Sequence, residues 1–106
     1  MIQNEKQFQD GIIHLAQMHG WLVYHTYDSR RCVPGFPDLF LTHPKRGEVI
    51  IAELKTDTGR LREAQKEWLD ALSLAQQNID STCFHTCLWR PKDRDRIVAL
   101  LKGDKL

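Results

Sequence analysis

The run Val49-Ile50-Ile51-Ala52-Glu53-Leu54-Lys55 constrains the fold more than any other part of this chain. It is apolar enough to be a strand covered on both faces, yet it carries two charges. Side chains alternate along a strand, so Glu53 and Lys55 point the same way. A carboxylate and an ammonium are costly in such a place unless they are paired or hold a metal. Fifteen residues before Glu53, Gly35-Phe36-Pro37-Asp38-Leu39-Phe40-Leu41 sets an aspartate at the mouth of a second apolar run. Asp38, Glu53 and Lys55 together read as a metal-dependent hydrolytic site.

At 106 residues the chain reads as one domain, residues 1–106, with a modest core. Its net charge is only +1, so attraction to a polyanion has to come from a local basic patch. Met1 to Asp10 is polar and no later run reaches membrane-spanning length; a cytoplasmic protein without membrane association is expected. Three cysteines, at 32, 83 and 87, fit a reducing compartment. Cys83-Phe84-His85-Thr86-Cys87 invites a zinc reading, but a second pair of ligands is missing. An ordinary strand with small buried thiols is the simpler reading.

A first helix is expected from about Asn4 to His19, ended by Gly20, with Phe8, Ile12, Leu15, Ala16 and His19 inward and Glu5 on the same stripe. Trp21 to Thr26 reads as a strand and Tyr27 to Gly35 as a loop. Strands at about Asp38–Thr42 and Glu48–Lys55 flank His43-Pro44-Lys45-Arg46-Gly47, a connection short enough for an antiparallel hairpin. With the turn centred near Lys45 and Arg46, facing residue numbers sum to about 91, and Asp38 stands opposite Glu53. A one-residue slip would send the two carboxylates to opposite faces. A second helix is expected over Leu61–Gln76, with Leu61, Gln65, Trp68, Leu72 and Ala75 inward. A strand over Thr82–Trp89 and a helix from Pro91 or Asp93 to Lys102, burying Ile97, Val98, Leu100 and Leu101, complete the chain. The expected class is α/β: a mixed sheet flanked by helices, in the order α-β-β-β-α-β-α.

Two converging carboxylates suit a hard divalent ion, magnesium or manganese, whose shell a substrate phosphate completes. Such an ion stabilises charge on a phosphodiester and activates water, while Lys55 orients or deprotonates that water. A Glu–Lys pair serving only the fold is the plainer alternative.

Gly-Phe-Pro-Asp38 followed by Ala-Glu53-Leu-Lys55 resembles the PD-(D/E)xK nuclease signature, and more narrowly the VRR-NUC branch found in small phage and prophage proteins and in larger repair enzymes. The resemblance runs through Glu5, Gly20-Trp21, Ser29-Arg30-Arg31, Thr56-Asp57-Thr58-Gly59-Arg60-Leu61, Gln65 with Trp68, and Leu88-Trp89-Arg90-Pro91. It implies a restriction-endonuclease-like fold. It further implies Asp38, Glu53, the Leu54 carbonyl and the helical Glu5 as metal ligands, Lys55 as the catalytic lysine and Gln65 as a supporting residue. Arg62 stands where relatives often carry a Ser-Pro helix start, and the Gln76–Ser81 connection lacks an expected glycine.

Arg30, Arg31, Lys45, Arg46, Arg60 and Arg62 lie in loops expected beside the site, with Ser29, Tyr24 and His25 leading into them, and together read as a DNA-backbone rim. His14, His43 and His85 receive no role. The small relatives are similar to Holliday-junction resolvases, which implies a structure-selective DNA endonuclease working as a homodimer in a host cytoplasm, open to recruitment by a replication or repair protein. A flap, nick or duplex-end nuclease, a catalytically silent DNA-binding module and a metal hydrolase acting on something other than nucleic acid are the competing readings.

Overall fold

The computed structural model describes residues 4–26 and 33–103. The first helix, α1 (Glu5–Met18), opens on a reciprocal cap: Asn4 Oδ1 accepts from the Gln7 N–H at 2.8 Å, and Gln7 Oε1 accepts from the Asn4 N–H at 3.3 Å. Phe8, Ile12 and Ala16, four apart, are its buried stripe. Gly20, at φ 89°, turns the chain into β1 (Leu22–His25).

The expected hairpin forms from β2 (Leu39–His43) and β3 (Glu48–Leu54), with Leu39 facing Ala52 and His43 facing Glu48. Facing numbers sum to 91, as the short turn requires. Its far end is anchored by His43, only 8% exposed, whose Nδ1 accepts the Lys45 and Arg46 amide N–H groups, each at 3.2 Å. With Nδ1 accepting, Nε2 carries the proton and donates to the His19 carbonyl at 2.8 Å. β1 joins β2 antiparallel, and β4 (Phe84–Trp89) joins β3 parallel, giving the order β1-β2-β3-β4. A parallel pair needs a crossover, which α2 (Glu63–Asn78) supplies. A short 3-10 turn at Pro91–Asp93 leads into α3 (Arg94–Lys102). The element order is α-β-β-β-α-β-α around a mixed sheet, consistent with a restriction-endonuclease-like fold.

One sheet face carries Leu39, Leu41, Ile50, Ala52 and Leu54, fully buried with Phe8, Ile12 and Ala16 of α1 and Ile97 and Leu101 of α3. The opposite face is only half covered, because α2 packs chiefly on β4. That explains where α2 departs from expectation. It starts at Glu63, leaving Leu61 outside the helix, and it fully buries only Leu69. Gln65, Trp68, Leu72 and Ala75 are half-buried. In α3, Val98 and Leu100 are likewise half-buried beside the buried Ile97 and Leu101. The Gln76–Ser81 connection needs no left-handed residue, since Ile79 ends α2 at φ −93° and Asp80 Oδ1 accepts from the Thr82 amide at 2.8 Å.

The cysteine-rich strand is structural. Cys87 lies against the core, burial pushing its thiol up to about 12, and His85 pairs with Glu48 at 3.0 Å. No described helix is long and apolar enough to cross a membrane.

Candidate active site

Asp38 and Glu53 meet on the half-covered face, at the end of the hairpin away from its turn. The 91 register carries past Leu39 and Ala52 to this pair. Asp38 Oδ2 accepts the Leu54 N–H at 2.9 Å, which ties the carboxyl to β3, and the Asp38 carbonyl accepts the Thr26 N–H at 3.3 Å. The approach to Asp38 is equally fixed. Pro37 is buried, Phe36 packs edge-on against Trp68 at 5.1 Å, and Gly35 sits at φ 85° against the Ala64 backbone. A Cβ on Gly35 would lie 2.4 Å from the Ala64 carbonyl carbon and oxygen, so only glycine fits there.

Glu53 is 1% exposed, and its Oε2 has no hydrogen-bond partner. Its carboxyl is pushed up from 4.5 to about 9. Burial is the largest cause, followed by a hydrogen bond with Asp38 that requires a proton and by the Asp38 charge; the Lys55 ammonium opposes the shift. Two carboxyl groups in contact, one with an orphaned buried oxygen, form a site that a cation would complete. Among the described residues no three His, Cys, Asp or Glu side chains converge closely enough to share an ion, so the protein's acidic donors there are this pair.

Lys55 follows on the same face as Glu53, its N–H bonded to the Trp89 carbonyl at 3.0 Å. A Cβ on Gly59 would reach Lys55 Cδ at 3.4 Å, so the loop after β3 lies along the lysine stem. Arg90 fixes that loop, one guanidinium nitrogen donating to the Thr56 and Gly59 carbonyls at 2.7 Å each. Asp57 Oδ1 adds a bond from the Lys92 N–H at 3.0 Å.

A model of the VRR-NUC domain matches residues 4–88, most of the chain. The chain belongs to the VRR-NUC family. It is 34% identical over 55 residues to a Fanconi-associated nuclease 1 homolog of Schizosaccharomyces pombe (strain 972 / ATCC 24843), an overlap of 52% of this chain and 8% of that protein. The chain therefore matches only a small part of that relative's length. No solved structure matches it.

The remaining expected residues of this VRR-NUC domain divide sharply. Glu5, the first residue of α1, is exposed and does not join Asp38 and Glu53 in a ligand cluster; its charge does reach Glu53 and raises that carboxyl further. Gln65 spends its side-chain oxygen on the Arg62 N–H at 2.8 Å, capping α2 in place of the missing Ser-Pro start. Arg62 has no acceptor atom to return the bond. Arg60 and Arg62 are exposed at the site end of the sheet.

Lys45 and Arg46 are not beside the site. They lie in the hairpin turn, beyond the five strand steps of about 3.4 Å that separate Asp38 from His43, a distance on the order of 17 Å. Lys45 is exposed, but Arg46 is built into the fold. Its guanidinium bonds Glu48 at 2.7 Å and the Leu101 and Leu100 carbonyls at 2.9 and 3.1 Å, and lies over Trp21 at 4.9 Å. Tyr24 and His25 part company. Tyr24 faces Phe40 on the site's face, while His25 faces Leu39 on the other. Ser29, Arg30 and Arg31 lie outside the described residues. Gly35 and Arg90, singled out by nothing in their local spacing, hold the two loops on which Asp38 and Lys55 sit.

Proposed function

We propose that this VRR-NUC domain is a divalent-metal-dependent DNA endonuclease that hydrolyses phosphodiester bonds, with a preference for branched or otherwise non-duplex DNA. One observation carries the reading. Glu53, buried on the sheet in contact with the half-buried Asp38, has one oxygen unsatisfied and a carboxyl pushed up to about 9 by burial and by Asp38, a charge arrangement that a cation would relieve. A fold gains nothing from that arrangement by itself. Hard-cation chemistry explains the donor type, and magnesium or manganese fits it.

Asp38 and Glu53 hold the ion, the Leu54 carbonyl serving as a further oxygen donor. When bound, the ion supplies Lewis-acid stabilisation of charge on the phosphate and makes water a usable nucleophile at neutral pH. Lys55, held against Gly59 by the Arg90-braced loop, presents its ammonium to the phosphate oxygens, or in its neutral form takes a proton from the attacking water. Glu5 contributes at a distance through its charge, and Gln65 by fixing the start of α2. Arg60 and Arg62 supply phosphate contacts.

The test is cleavage of four-way junction, flap and linear duplex DNA by Asp38→Ala, Glu53→Ala and the parent protein, with magnesium or with excess chelator. Loss of cleavage in both variants and in chelator, with folded spectra retained, is expected. Full activity in either variant or in chelator refutes the mechanism. Homodimers acting on junctions predict a two-protomer mass in sedimentation and paired incisions.

A further inference from the structure

Among the described residues, the sheet face that bears the acidic pair also bears the most exposed aromatic side chains. In the row next to Asp38 and Glu53, Tyr24 stands directly opposite Phe40, and Phe40 opposite Ile51. Directly paired residues point to the same side, so all of these share a face with the acidic pair. Tyr24 is 60% and Phe40 37% exposed, and Leu22, next along β1, is 62% exposed. α2 packs chiefly on β4, and the described residues on the β1–β2 half of this face, Leu22, Tyr24 and Phe40, stay exposed. Phe40 is two strand residues from Asp38, about 7 Å along β2.

We propose that Tyr24 and Phe40 form a shelf on which an unpaired base of the substrate stacks, beside the scissile bond at the Asp38–Glu53 site. The inference rests on the nuclease reading and deepens it by naming what the site selects: DNA with an unpaired nucleotide next to the scissile bond. Paired bases within a duplex stack are covered on both faces, so an aromatic shelf contributes only when a base leaves the stack. Stacking on aromatic side chains is sequence-tolerant, as a structure-selective enzyme requires. A second copy of the chain is the poorer occupant. Three partly exposed side chains on short strands offer far less than the roughly 800 Å² per partner of a stable interface.

The experiment measures equilibrium binding in chelator of two labelled probes, a blunt duplex and the same duplex with a short single-stranded arm carrying 2-aminopurine at the junction. The parent protein binds the armed probe more tightly and quenches the 2-aminopurine. Tyr24→Ala with Phe40→Ala weakens armed-probe binding roughly 5- to 150-fold per lost stack, abolishes the quench and leaves blunt-duplex binding unchanged. Tyr24→Ser alone, at a position 60% exposed, gives the same pattern without touching the core. Phe40→Trp retains it. Equal loss on both probes, or no loss on either, overturns the proposal. So does a change in sedimentation with armed-probe binding intact, which assigns the face to a second copy. Parent protein that cleaves DNA but prefers neither probe defeats the shelf alone. Parent protein that neither binds nor cleaves DNA defeats the nuclease reading with it.

Discussion

Replacing Glu53 with glutamine should stabilise the metal-free protein while abolishing its activity, and the gain should grow with pH. In the folded chain the Glu53 carboxyl holds its proton up to about pH 9, whereas the unfolded chain releases it near 4.5. Between those limits the native state binds one more proton than the unfolded state, so stability falls as pH rises, by about 1.4 kcal/mol per pH unit. Below about pH 4.5 this contribution is fully present, and it is lost progressively on the way to pH 9. At pH 7.5, three units above 4.5, holding that proton costs the parent protein up to about 4 kcal/mol. Sharing of the proton with Asp38 reduces the figure, so the expected gain for Glu53→Gln is about 2–4 kcal/mol at pH 7.5 and under about 1 kcal/mol at pH 5. The amide has nearly the same shape and can donate to Asp38. Urea unfolding in chelator at pH 5, 6.5 and 7.5 reads the gap directly. Saturating magnesium should close part of it, because only the parent gains by binding, by about 2.7 kcal/mol at one hundred times Kd. Parallel stabilities across pH, or a variant weaker than the parent at pH 7.5, would refute the reasoning.

Gly35→Ala should lower stability by about 2–4 kcal/mol in urea unfolding, since it adds left-handed strain to a backbone clash with Ala64, and should slow cleavage by shifting Asp38. Gln65→Glu keeps the acceptor that caps α2 and should unfold at the same or slightly higher urea concentration, whereas Gln65→Ala should lose about 1 kcal/mol; a cleavage defect confined to Gln65→Glu would mean the residue also serves the chemistry. Arg60→Ala should reduce the salt dependence of DNA binding by about one charge, while Arg46→Ala should leave it unchanged and cost about 1–3 kcal/mol of stability.

The hairpin register was legible because a short turn between two apolar runs admits few pairings, and the run of facing numbers follows by counting. The acidic pair was legible because charges in a doubly covered strand need a reason. Arg46 was not. Its partners are carbonyls at Leu100 and Leu101, more than fifty residues away, and a loop arginine beside a proline and a glycine reads as solvent-facing. The inward face of α2 was legible from its spacing, but the task of Gln65 was not: it falls in the first turn, where its oxygen is worth more to an unpaired amide than to a buried face. The importance of Gly35 and Arg90 depends on what approaches them in space, which neighbouring residues do not disclose.

His43 lies at the turn end of the hairpin, away from Asp38 and Glu53, yet it acts as a template for their alignment. By fixing the Lys45 and Arg46 amides on one side and the His19 carbonyl on the other, it seats the turn, and the turn helps set which residue of β3 lies beside Asp38. If the turn kept its length, two residues added to it would preserve every face while sliding Glu53 about 7 Å along the sheet, leaving a folded protein with Asp38 and Glu53 pulled apart. Libraries meant to alter substrate choice therefore belong in the Thr56–Arg60 loop and on the Tyr24–Phe40 surface, where variation leaves the alignment of the two strands untouched.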